Sequence, residues 1–305
     1  LISSFGEKRM GKLDDKVAIV TGAGGGLGRA HALLLASHGA SVVVNDLGGA
    51  RDGSGAGTSM ADGVVEEITQ AGGKAVANYG SVTNDGDAKN MVAAAKDSFG
   101  RVDILINNAG ILRDRSFKNM TDDEWDAVVE VHLKGSYLAT KHAWKEMLEQ
   151  GDGGRIIMTS STSGLIGNFG QTNYGAAKAG LAGFMRVLAL EGMKYGITVN
   201  VLAPGALSRM TEDLPGFAGN EEEAKERMAP NKVSPTVAWL CTPEAANVTG
   251  RQFCVSGNRV SLLSWQVDTI AEKDSIEPEW TVDEIGEAME KSMESWPKLL
   301  KPMEV

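Results

Sequence analysis

A short apolar strand runs straight into a cluster of glycines near the N-terminus, and few folds accept that junction. Val17-Ala18-Ile19-Val20 is apolar without alternation, as a strand buried on both faces requires. Thr21-Gly22-Ala23-Gly24-Gly25-Gly26-Leu27-Gly28 follows. Arg29 to His38 then carries a helical apolar face through Ala30, Leu33 and Leu34. Glycines at such a turn allow a tight reversal, a close backbone approach to a pyrophosphate and a close helix–sheet contact. The helix N-terminus offers unpaired N–H groups to an anion. The junction predicts a dinucleotide site at the carboxyl end of the first strand.

Similar strands recur at Ser41-Val42-Val43-Val44-Asn45-Asp46, Ala75-Val76-Ala77, Ile104-Leu105-Ile106, Ile156-Ile157-Met158 and Val199-Asn200-Val201-Leu202, with helical patterns between them. This alternation predicts an α/β fold, a Rossmann-like doubly wound parallel sheet with right-handed crossovers. We expect a single domain over residues 11–257 and a C-terminal helical extension over 258–305 that packs on the core or on a dimer partner. Thr281-Val282-Asp283-Glu284 opens a helix in the extension with a capping-box pattern. Gly48 to Thr58 is a low-complexity connector beside the nucleotide site, placed where it could order around a ligand.

The formal charge of −10 disfavours phosphate backbones, which argues against nucleic-acid binding. Nothing approaches a membrane span. Cys241 and Cys254 are too few for a disulfide framework, and no Cys/His spacing suggests a metal site. A cytoplasmic location fits. Residues 1–10 lack the apolar core of a secretory signal, Met10 is the expected natural start, and the last residues carry no recognised targeting signal.

Asp46 ends the second strand, eighteen residues after Gly28. A carboxylate there can accept both ribose hydroxyls of an adenosine and repels a 2′-phosphate. The glycine loop offers no Arg or Lys to such a phosphate, so the expected cofactor is NAD rather than NADP. Tyr174 and Lys178 are four residues apart in a helical stretch and share a face. An ammonium beside a phenol favours the phenolate, which makes a proton donor and acceptor usable near neutral pH.

Taken together, Thr21-Gly22-x-x-x-Gly26-x-Gly28, Asn107-Asn108-Ala109-Gly110, Ser161, Tyr174-x-x-x-Lys178 and Pro204-Gly205 resemble the short-chain dehydrogenase/reductase family, in order and spacing, over about residues 11 to 257. Asn45-Asp46-Leu47-Gly48-Gly49, Ile111-Leu112-Arg113-Asp114-Arg115-Ser116-Phe117, Gly167-Asn168-Phe169-Gly170-Gln171 and Ser208-Arg209-Met210-Thr211 resemble one subgroup, the (3R)-hydroxyacyl-CoA dehydrogenase domains of peroxisomal multifunctional enzymes. The resemblance implies that Gly22, Ala23, Gly24, Gly25, Gly26, Leu27, Gly28 and Asp46 line the cofactor. It also brings Ser81, Val82, Asn108, Ala109, Gly110, Tyr174, Lys178, Pro204, Gly205 and Leu207 to it, with Asn107 bracing the sheet. Ser81 departs from the family's usual Asp, and His132 stands where the family usually has Asn.

The resemblance implies a mechanism. Tyr174 exchanges the proton of a secondary alcohol, Ser161 hydrogen-bonds the reacting oxygen, Lys178 holds the cofactor ribose, and a water file near His132 carries the proton outwards. Ser160-Ser161-Thr162-Ser163 lacks the elbow of a hydrolase nucleophile. His31, His38 and His142 read as structural. The resemblance to the subgroup implies a 3-hydroxyacyl-CoA as the small-molecule substrate, with a hydroxysteroid or other bulky alcohol as alternative. A non-catalytic NAD-binding subunit is the alternative of another class. Residues 208 to 235, with Glu221-Glu222-Glu223, fall where the family has a lid. In the family the helix after Thr121 (here with Trp125, Val128, Val129, Leu133, Tyr137 and Leu138) and that bearing Tyr174 (with Leu181, Phe184 and Leu188) pair across a two-fold axis, so the resemblance implies a homodimer, the alternative being that these positions simply cover the sheet.

Overall fold

A computed structural model describes residues 11–50, 52–206, 221–274, 278–297 and 300. The strands are β1 Val17–Thr21, β2 Ser41–Asn45, β3 Lys74–Asn78, β4 Ile104–Asn107, β5 Gly154–Thr159, β6 Ile197–Gly205, β7 Gln252–Ser256 and β8 Arg259–Leu263. The helices are α1 Gly26–Ser37, α2 Ser59–Gln70, α3 Asp85–Phe99, α4 Asp122–Val129, α5 Gly135–Gln150, α6 Thr162–Leu165, α7 Thr172–Gly192, α8 Glu221–Arg227, α9 Ser234–Leu240 and α10 Val282–Ser292. Each expected strand and helix start lies within a few residues of its place.

The strands form one sheet in the order β3-β2-β1-β4-β5-β6-β7-β8. Pairing is parallel from β3 to β7 and antiparallel between β7 and β8. β8 lies inside the segment expected to be helical. Only a two-residue turn, Gly257-Asn258, separates β7 from β8, so β8 joins the sheet as the second arm of a hairpin.

Alternation along the inner strands sends side chains to two cores, which is why β1, β2, β4 and β5 carry unbroken apolar runs. Ala18, Val20, Val42, Val44, Ile104 and Ile106 face one core with Leu35 of α1, Val64 of α2 and Val237 of α9. Val17, Ile19, Val43 and Leu105 face the other with Met91 of α3, Ala143 of α5 and Leu181 of α7. Strand order reverses between β1 and β4, which leaves a crevice outside their carboxyl ends. No helix among the described residues is long and apolar enough to cross a membrane.

Candidate active site

Three elements converge beside that crevice. β5 ends at Thr159, and Ser161 caps α6 with its Oγ accepting from Ser163 N at 3.1 Å. A Cβ on Gly164 would fall 2.6 Å from the Cβ of Lys178, so only glycine lets α6 lie this close to α7. On α7, Lys178 Nζ lies 5.4 Å from the centre of the Tyr174 ring, one helical turn back along the same face. The ammonium is almost wholly buried and donates to the Thr159 carbonyl, while Ser160 Oγ donates to the Lys178 carbonyl at 2.7 Å.

His132 reaches the same spot from the other side. Between α4 and α5 the helix widens into a π turn over Glu130–Lys134. Such turns often accompany functional sites. The His132 carbonyl accepts from Ser136 Oγ at 2.6 Å. Its imidazole stands edge-on to Tyr174, with ring centres 5.1 Å apart at 89°. Nε2 is 2.8 Å from the Ile111 carbonyl and 3.1 Å from the Ile111 N–H. The shorter contact favours the tautomer that donates from Nε2, which leaves buried Nδ1 an acceptor with no protein partner.

Burial dominates the electrostatics. It pushes the Tyr174 phenol up to about 12; a hydrogen bond with Ser161 opposes this and the Asp114 carboxylate adds to it. Burial brings the Lys178 ammonium down to about 7. Burial first, then the Lys178 charge, hold the His132 imidazole well below its usual range, against the pull of its bond to Ile111. These values differ from the phenolate expected of a Tyr–Lys pair. Taking both groups out of water disfavours each charged form, and that outweighs their attraction.

The sequence profile of the short chain dehydrogenase family matches residues 16–215. A short-chain type dehydrogenase/reductase of Mycobacterium tuberculosis is 54% identical over 83% of this chain and 86% of its own. The peroxisomal multifunctional enzyme type 2 of Mus musculus is 50% identical over 84% of this chain and only 33% of its own length. A hydroxyacyl-CoA dehydrogenase of M. tuberculosis is 43% identical over 83% of this chain and 80% of its own. The crystal structure of a short chain dehydrogenase from Mycobacterium avium, 41% identical, superposes with a TM-score of 0.81 over 95% of this chain and 98% of that one. This chain belongs to the short-chain dehydrogenase family. The dehydrogenase is an oxidoreductase acting on CH–OH donors.

The crevice of this dehydrogenase encloses about 210 Å³. Of the residues expected at the cofactor, Gly22, Gly25, Gly26, Leu27, Asp46, Ser81, Val82, Asn108, Ala109 and Gly110 line it. Tyr174, Lys178, Pro204 and Gly205 are not among its walls. Nor are Ala23 and Gly28: Ala23 is buried and donates to the Asn45 carbonyl at 2.8 Å, and Gly28 packs beneath the loop against the Gly22 carbonyl. Gly24 is a neighbour of Asp46, whose Oδ2 accepts from Gly24 N at 2.8 Å and whose Oδ1 accepts from Gly48 N at 2.7 Å. Pro204 and Gly205 end β6, Asn107 donates to Thr140 Oγ1 at 2.9 Å, and Leu207 with Ser208-Arg209-Met210-Thr211 lies outside the described residues.

The residues present fit a dinucleotide. A glycine-walled cradle opens beneath the N-terminus of α1, and a pinned carboxylate stands at the end of β2. Gly49, Ala50, Gly53, Ile111 and Val131, none of them among the residues expected to line the cofactor, also form walls. The first three come from the inserted loop. Its neck closes by Gly57 N donating to the Leu47 carbonyl at 2.8 Å, and Arg113 Nε holds its Asp52 carbonyl at 3.1 Å. A basic residue four positions beyond Asn108-Ala109 was no signal of that latch.

Proposed function

We propose that this dehydrogenase interconverts a (3R)-hydroxyacyl-CoA and a 3-ketoacyl-CoA with NAD, residues 11–257 forming the catalytic unit and 258–305 an extension. The carrying observation is the convergence of Tyr174, Ser161 and Lys178 beside a cleft that holds Asp46 at its far end. The substrate class rests on the subgroup motifs and on the relative named a hydroxyacyl-CoA dehydrogenase. A carboxylate at the ribose end supports NAD.

The glycine loop and Asp46 would hold NAD, which when bound would supply the hydride acceptor for the oxidation. Tyr174 as phenolate takes the hydroxyl proton, and as phenol returns it in the reduction. Ser161 donates to the reacting oxygen, a fixed donor where negative charge grows. Lys178 is anchored through Thr159, so its ammonium keeps its place beside the ring. The buried Nδ1 of His132, which has no protein partner, offers an acceptor to a relay water near Tyr174. With the phenol at about 12, the protonated form prevails at neutral pH, so oxidation speeds up as pH rises while the reduction retains its proton donor. Two subunits paired through α4, α5 and α7 complete the reading, and sedimentation velocity tests that pairing.

Steady-state rates with NAD and NADP on both 3-hydroxyacyl-CoA enantiomers, beside a panel of hydroxysteroids, test the proposal. The (3R) thioester with NAD is expected to turn over fastest. Turnover of steroids alone overturns the substrate class. Tyr174→Phe is expected to abolish turnover and keep NAD affinity, and full activity in that variant overturns the role of the phenol.

A further inference from the structure

Three segments meet at one buried amide. Gln171 Nε2 donates to Asp114 Oδ2 at 2.7 Å, and its Oε1 accepts from Ser163 Oγ at 2.7 Å and from Asn168 Nδ2 at 3.0 Å. A carboxylate on one side and an amide N–H₂ on the other leave only this orientation of the Gln171 side chain. Gln171 is 6% exposed, so water competes little for these bonds.

The backbone of the same residue is tied as firmly. Its carbonyl accepts from Gly175 N at 2.7 Å, which starts the helical turn that carries Tyr174. It also pairs with Arg115 as an isolated parallel bridge, and Arg115 N donates to the Gly170 carbonyl at 2.8 Å. Ser163, the residue that Gln171 holds, donates through its own N–H to Ser161 Oγ. One side chain therefore sits between the support of Ser161, the start of the Tyr174 helix and the loop that follows β4.

We propose that Gln171 is a positioning residue for the reaction: its amide clamps the Ser161 segment to the Asp114 loop and so sets the separation of the Ser161 and Tyr174 hydroxyls. The inference rests on the proposed oxidoreductase chemistry of those two groups. Gln171 does not line the cofactor cleft, so its influence falls on turnover rather than on nucleotide affinity. The polarity of the clamp can be reversed. A glutamate at 171 sets two carboxylates against each other, and an asparagine at 114 supplies the missing N–H donor.

Gln171→Glu, Asp114→Asn and the double variant are compared by kcat, by KM for NAD and by amide hydrogen exchange of peptides over 111–117 and 161–171. Gln171→Glu is expected to lower kcat about tenfold to a hundredfold, the loss of a charge-assisted bond in a buried site. Its KM for NAD stays within about twofold, because ground-state nucleotide binding is untouched. The double variant recovers most of the kcat lost by Gln171→Glu, and exchange in both peptides is fast in the single variant and slow again in the double. A kcat for Gln171→Glu close to wild type overturns the clamp. So does a folded double variant no better than the single, or equal exchange in all the proteins. A wild-type chain inactive on 3-hydroxyacyl-CoA fails the substrate reading alone, and the exchange comparison still decides the clamp.

Discussion

A Cβ on Gly110 would lie 2.3 Å from Cε1 of the His132 ring, so the backbone after β4 packs tightly against that corner of the imidazole. That ring is in turn the edge-on neighbour of Tyr174. Gly110→Ala is expected to displace His132 and, through it, the phenol. Overpacking costs about 1–3 kcal/mol of stability. Turnover falls about tenfold or more, since small misplacements at a reacting group are expensive. Thermal melting with steady-state kinetics checks both, and a variant with wild-type kcat removes the His132–Tyr174 contact from the mechanism.

Asp46 holds two backbone N–H groups and still presents a carboxylate to the cleft. Asp46→Ala is expected to weaken NAD about tenfold to a hundredfold, the range for a charge-assisted hydrogen-bonding group. NADP affinity falls less, because the repulsion of its 2′-phosphate is relieved. Fluorescence titration with both reduced cofactors reads the ratio. An equal loss for the two shows that Asp46 only shapes the loop.

Arg113 joins the inserted loop to the start of α4, with Nε on the Asp52 carbonyl at 3.1 Å and Nη1 on the Asp123 carbonyl at 3.4 Å. Arg113→Ala removes both while leaving the Arg113 carbonyl to accept from Asn173 Nδ2. NADH is then expected to dissociate about tenfold faster, as loss of the tie between α4 and the loop that walls the cleft allows. Turnover at saturating cofactor changes little. Stopped-flow displacement measures the rate, and an unchanged value makes the loop a passive connector.

His31 is buried in α1, with Nδ1 2.8 Å from Ser234 Oγ of α9, and burial lowers it to about 4. The unfolded chain, with an ordinary histidine, binds more protons between pH 4 and 6.5, so stability rises with pH across that window. Acidification from pH 6.5 to 4 is expected to remove about 3 kcal/mol through this residue, because each pH unit between the folded and unfolded values is worth about 1.4 kcal/mol. His132 contributes with the same sign. Urea melts near pH 4.5 and 7 are expected to differ less in His31→Asn than in wild type, and identical pH dependence would remove His31 as the source.

Much of the fold is legible in the residue order. The runs at Val17, Ser41, Ile104, Ile156 and Val199 are strands because a sheet covered on both faces needs unbroken apolar segments. Thr121 and Thr281 both begin helices with reciprocal capping boxes, a device that lives within four residues and so shows in sequence. β7 and β8 were missed. Gln252-Phe253-Cys254-Val255-Ser256 is short and mixed, and β8 became a strand only because β7 offered it an edge.

At the site, local spacing placed Tyr174 and Lys178 on one helical face, and the strand–glycine–helix junction located the cleft. Such features depend on neighbours a few residues apart, and helical and strand periods are written directly into the residue order. The edge-on seat of His132, the latch of Arg113 on Asp52 and the grip of Gln171 on Asp114 and Ser163 span eight to sixty-one positions along the chain. Tertiary packing alone decided these. Burial in that packing also set the protonation of Tyr174 and Lys178, because the cost of leaving water depends on everything that surrounds a charge and not on its sequence neighbours.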